Sequence, residues 1–128
     1  MKLLNRSALS VRPTQPFVDW INALEPTLGD DDLTLADVER ESTIYLIPEM
    51  DTPEALETFV RERCVEILET ELRAWEEDER QWPEPLDWSL FQEFLHVEHS
   101  YLAIDLDDET ALEISDVDDA LLLDNDPD

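Results

Sequence analysis

Apolar residues recur at steps of three and four from Leu56 to Trp75, through Phe59, Val60, Cys64, Ile67, Leu68 and Leu72. That spacing lines one face of an α-helix. Thr52 is a good N-cap, and Pro53 stands at the first helical position, where its missing N–H would have had no partner anyway. The pattern predicts one long helix from Asp51 to about Arg80, along which the rest of the chain packs. At ~1.5 Å per residue, some 25 residues would span roughly 38 Å, about the width of a small domain.

Before that helix the pattern is shorter in period. Leu9 and Val11 alternate weakly within Ala8–Arg12, consistent with a short strand. Pro13 and Pro16 bracket a turn, and Phe17 to Leu24 sets Phe17, Trp20, Ile21 and Leu24 on one helical face. Pro26 and Gly29 end that helix, and Asp30 to Asp32 form an acidic turn. Thr34 can cap a short helix from Leu35 to Glu41, with Leu35 and Val38 inward. Ser42 to Pro48 holds an unbroken run, Thr43, Ile44, Tyr45, Leu46 and Ile47, which predicts a buried central strand.

Beyond the long helix, Trp82, Pro83 and Pro85 act as its stop. Asp87 can cap a helix from Trp88 to Leu95. Val97 to Leu106 predicts a second major strand, with Leu102, Ile104 and Leu106 on one face, neighbouring Ser42–Pro48 beneath the helical stripe. Asp107 to Glu109 make a turn, and Thr110 to Ile114 return as a hairpin strand with Leu112 and Ile114 inward. Ser115 opens an S-x-x-D capping pattern with Asp118, ahead of Ala120 to Leu123. The expected fold is α+β: a small, mostly antiparallel sheet covered on one face by helices, one of them long and central. Residues 1–115 are expected to form a single domain, and 116–128 an acidic, partly disordered C-terminal segment.

Composition changes the picture through charge. The 128 residues carry 35 Asp and Glu against 8 Lys and Arg, a net charge of −27. Such a surface repels nucleic acid and anionic membranes and draws basic partners. From Asp105 onward there are 11 acids and no Lys or Arg, so the preceding part holds 24 acids against 8 bases. On the long helix Glu57, Glu69 and Glu76 precede Arg61, Arg73 and Arg80 by four, the favourable orientation for ion pairs along a helix. Cys64, the one cysteine, lies on the apolar stripe and is expected to be a small buried hydrophobe. No apolar run approaches the roughly 18 residues that span a bilayer, and Met1 to Arg12 lacks the pattern of a targeting peptide, so a cytoplasmic location is expected.

The segments RPTQPFVDWINAL, ESTIYLIPE and WSLFQEFLHVEHSYLAIDL resemble those of a family of small acidic bacterial proteins of unknown function. The resemblance spans roughly residues 10 to 115. It implies a bacterial, cytoplasmic, single-domain protein without a known activity.

Candidate chemistry is sparse. His96, Glu98 and His99 are metal-ligand types, but HVEH is neither H-E-x-x-H nor H-x-x-E-H. On a strand His96 and Glu98 share a face while His99 points away. Acid pairs are unavoidable by chance in so acidic a chain, and neither Asp30–Asp32 nor Asp116–Asp119 has the spacing and glycine of a calcium loop. No cofactor is implied. Three functions stay open: a non-catalytic acidic protein that binds a basic protein partner; a nucleic-acid mimic whose carboxylates occupy the groove of a DNA- or RNA-binding protein; and a metal-dependent hydrolase built on His96, Glu98 and His99. For the first, the expected contact residues are Asp116, Asp118, Asp119, Leu121, Leu122 and Asp124, where acids alternate with aliphatics.

Overall fold

A computed structural model describes residues 1–24, 33–40 and 42–117. In chain order the elements are β1 (Lys2–Leu4), β2 (Ser7–Pro13), α1 (Gln15–Leu24), α2 (Leu35–Glu39), β3 (Thr43–Ile47), α3 (Pro53–Arg73), a 3-10 turn (Glu79–Gln81), α4 (Trp88–Phe94), β4 (Leu95–Ser100) and β5 (Ala103–Asp105). They form an α+β fold with two small antiparallel sheets, one ordered β3-β2-β4 and the other a β1-β5 ribbon. None of the described helices is long and apolar enough to cross a membrane.

The centre of the three-stranded sheet is β2, not the apolar run at Thr43–Ile47. Helices cover one face of this sheet, so a central strand needs alternation rather than a continuous apolar stretch. Ser7, Leu9, Val11 and Pro13 turn inward and are buried, while the residues between them are only half-buried. The Thr43–Ile47 run lies at the edge as β3, pairing with β2 alone. Its unbroken hydrophobicity places Ile44 and Leu46 on the uncovered face, 60% and 52% exposed. Ser42–Pro48 and Val97–Leu106 are therefore not neighbours, because β2 separates β3 from β4.

The expected strand Val97–Leu106 is two strands. Ala8 pairs with Ser100, and the next paired step beyond is Leu4 with Ala103. Three residues, Asn5 to Ser7, lie between these steps on one side and two, Tyr101 and Leu102, on the other. One extra residue interrupts the ladder as a bulge does and separates β4 from β5. Ser7 pins this junction: its hydroxyl donates to the Tyr101 carbonyl at 3.2 Å and accepts from the Met50 amide at 3.1 Å.

The long helix begins as its sequence predicts, with Thr52 accepting from the Ala55 amide and Pro53 in the first turn. It stops at Arg73, seven residues before Arg80. Glu76 to Glu79 would have stacked four acids on the negative end of the helix dipole, which disfavours continuation. The chain folds back instead, and the Trp82 indole donates to the Glu76 carbonyl at 2.7 Å while Arg73 lies over its ring. The Glu57–Arg61 pair forms at 3.7 Å. Arg80 turns to Asp78 rather than Glu76, and Arg73 stacks on Trp82 rather than pairing with Glu69.

The stripe Leu56, Val60, Cys64, Ile67, Leu68 and Leu72 is buried and meets Leu9, Val11, Phe17, Ile47, Phe91 and Phe94 in one core. Thr34 and Asp37 form a reciprocal capping box on α2, and Asp87 caps α4. Pro16 lies in the first turn of α1, which starts two residues before Phe17. Thr110–Ile114 forms no strand; Leu112 is exposed and Ile114 is 97% exposed, so neither faces inward. Pro26, Gly29, the Asp30–Asp32 turn and the helix expected at Ala120–Leu123 lie outside the described residues.

Candidate interaction surface

The histidine cluster lies on β4. Arg12 stands opposite His96 on β2 and forms an ion pair with Glu98, while His96 Nε2 lies 3.3 Å from the same carboxylate oxygen. His99 is on the other face, its ring edge-on to Tyr101 at 5.5 Å. The three side chains therefore do not converge, and the one carboxylate among them already faces a permanent cation. Among the described residues no group of three or more His, Cys, Asp or Glu is placed to hold a metal ion. Cys64 is buried mid-helix, which shields its thiol from attack on a substrate.

Sequence reasoning missed one buried polar pair. The Tyr45 hydroxyl, on the inward face of β3, donates to Glu71 Oε2 on α3 at 2.5 Å. Burial pushes the Glu71 carboxyl above its ordinary range, against the pull of hydrogen bonds from Tyr45 and Thr43. Burial, and then the neighbouring Glu71 charge, hold Tyr45 firmly as the phenol. The signal was present in the helix pattern. Glu71 falls between Leu68 and Leu72 on the inward side of the stripe, a place where a carboxylate needs a donor.

The third feature is a stretch of acids and aliphatics. From Leu102 to Val117, Leu102, Ile104, Leu106, Leu112, Ile114 and Val117 are all at least half exposed. Asp105, Asp107, Asp108, Glu109, Glu113 and Asp116 stand between them. An open cleft of about 390 Å³ is lined by Asp105, Asp107, Thr110, Ala111, Leu112 and Glu113. Asp107 accepts from the Thr110 and Glu109 amides at 3.0 and 2.9 Å, bonds that hold its carboxyl below the usual carboxylate range. No protein-family model, curated protein or solved structure matches the chain. Of the expected contact residues, Asp116 is exposed at the end of this stretch, whereas Asp118, Asp119, Leu121, Leu122 and Asp124 lie outside the described residues.

Proposed function

We propose that this chain is a non-catalytic acidic protein that binds a basic protein partner. The observation that supports this reading most is where the charge sits. Glu71 is the only buried acid among the described residues, so the other described carboxylates remain at the surface. Four of the eight Lys and Arg side chains, Arg12, Arg61, Arg63 and Arg80, already pair with an acid, and the terminal amine of Met1 pairs with Asp108. What faces solvent is a field of carboxylates that attracts cations over about a Debye length, ~8 Å at physiological salt.

The test is capture of proteins from a cell extract on the immobilised chain, beside a polyglutamate column of matched charge. The chain should retain basic proteins that polyglutamate does not, and added salt should release them. If the two columns retain the same proteins, the chain is only an ion exchanger and the reading fails. Release by added DNA or RNA would narrow the partner to a nucleic-acid-binding protein, the mimicry reading. The ion pairs Glu57–Arg61 and Arg63–Glu66 weigh against a continuous phosphate-like array on α3.

A further inference from the structure

The β1-β5 ribbon carries an apolar face that none of the described residues buries. Leu3 and Ile104 stand directly opposite each other in the ladder. Leu102 and Leu106 alternate with the half-buried Ala103 and Asp105, so they share the side of Ile104. The same register, carried one step past β1, sets Met1 against Leu106. All five of these side chains are at least half exposed. A two-stranded ribbon is marginal in water unless its apolar face packs on something, and a contiguous exposed apolar face marks an interaction site.

We propose that this ribbon face docks a cationic amphipathic segment of a partner protein, in which Lys or Arg is interleaved with large aliphatics. The aliphatics would rest on Leu3 and Ile104, and the cations would meet Asp107, Asp108 and Glu109 at the open end of the ribbon. Charge complementarity selects this occupant. Two cations stand at the ribbon's end, Lys2 opposite Asp105 and the Met1 amine on Asp108, and Asp105, Asp107, Asp108 and Glu109 outnumber them, with no Lys or Arg after Asp105. A second copy would bring the same acids and another −27 charges to the contact. The chain's own Leu121 to Leu123 is flanked by acids on both sides, again of the wrong sign. The proposal rests on the basic-partner reading and adds to it a place and an apolar requirement.

Calorimetric titration of the full chain can separate the two. The probes are a synthetic peptide of Leu and Lys at helical spacing and a second peptide with every Leu replaced by Ser. The Leu/Lys peptide should bind, with the Ser peptide roughly tenfold weaker. A Leu3→Ser/Ile104→Ser variant should weaken the Leu/Lys peptide by a similar factor and leave the Ser peptide unchanged. Leu3→Lys, a single change at an exposed position, should produce the same selective loss and serves if the double variant melts early. Equal binding of both peptides would overturn ribbon docking while leaving the basic-partner reading intact. Binding of neither would remove both. If Leu121→Ser/Leu122→Ser/Leu123→Ser tightens the Leu/Lys peptide, the occupant is the chain's own segment. If sedimentation shows a dimer that Leu3→Lys dissociates, the occupant is a second copy. Either result overturns the proposal.

Discussion

Among the described residues, the Tyr45–Glu71 pair is the one place where this acidic chain puts a carboxyl into its core, and it does so with a donor in place. Removing that donor leaves the carboxyl buried with poorer satisfaction, whereas neutralising the acid removes the desolvation problem itself. Tyr45→Phe should therefore destabilise the fold by about 1–3 kcal/mol at neutral pH. Glu71→Gln keeps the shape and an acceptor for the Tyr45 hydroxyl, and should match or exceed the stability of the unaltered chain. Paired chemical denaturation curves at pH 7 check both, and a Glu71→Gln loss as large as that of Tyr45→Phe would mean that the ionised form is the favoured one. A different logic applies to Arg12, Glu98 and His96, which lie on the solvent side of the sheet, where an ion pair contributes little.

At the scale of elements, the capped helix starts were legible, while the uncapped start of α1 and the sheet order were not. Thr52, Thr34 and Asp87 announce their helices because a cap is a local interaction, readable within four residues. Sheet order depends on which faces the helices leave open, and that is a property of the assembled layers. Thr43–Ile47 looks central because it is apolar throughout, yet Ile44 and Leu46 face away from the helices. Ser7–Pro13 looks weak because it alternates, yet Leu9 and Val11 are fully buried at the centre. The split between β4 and β5 was hidden as well, because the extra residue that causes it lies on the distant partner strand. Of the candidate surface, the same-face grouping of Leu102, Ile104 and Leu106 was legible from alternation; that the face is exposed was not. The end of α3 is a case where a readable signal, Glu76 to Glu79, outweighs the helical stripe that continues to Trp75. Easing that acidic run should favour the C-terminal turn. Glu77→Lys, at an exposed position, should stabilise the fold by about 0.3–1 kcal/mol at low salt, and the gain should shrink in high salt. Thermal melts at two salt concentrations check it, and an unchanged or lower Tm at low salt would assign the helix end to packing of Trp82 alone.

For the whole molecule, the fold is held by one core beneath the sheet while its surface works against it. A net charge of −27 on 128 residues raises the energy of the compact state through self-repulsion, and among the described residues neither the few ion pairs nor the buried Glu71 relieves it. Added sodium chloride should therefore raise Tm, since it screens exposed charges more than it weakens the few exposed pairs. The pH dependence has two limbs. Glu71 has a raised carboxyl pKa in the folded state, so the folded chain takes up its proton before the unfolded chain does. Its contribution is lost as pH rises through that raised value and regained as pH falls, in the same direction as the relief of self-repulsion. Asp37, Asp78 and Asp107 have lowered values, set first by hydrogen bonds from Thr34, Arg80 and Thr110 respectively. What they contribute is present above the ordinary carboxylate pKa of about 3.9 and lost as pH falls through their lower folded values. Tm should accordingly climb from pH 7 to about pH 5 and turn down below about pH 4. In Glu71→Gln the climb should be smaller, because one of its two causes is gone. Scanning calorimetry across this range, at low and high salt, measures both limbs. A Tm that falls steadily from pH 7 downward, or that falls with added salt, would show that specific pairs rather than a repulsive acidic surface govern the stability of this protein.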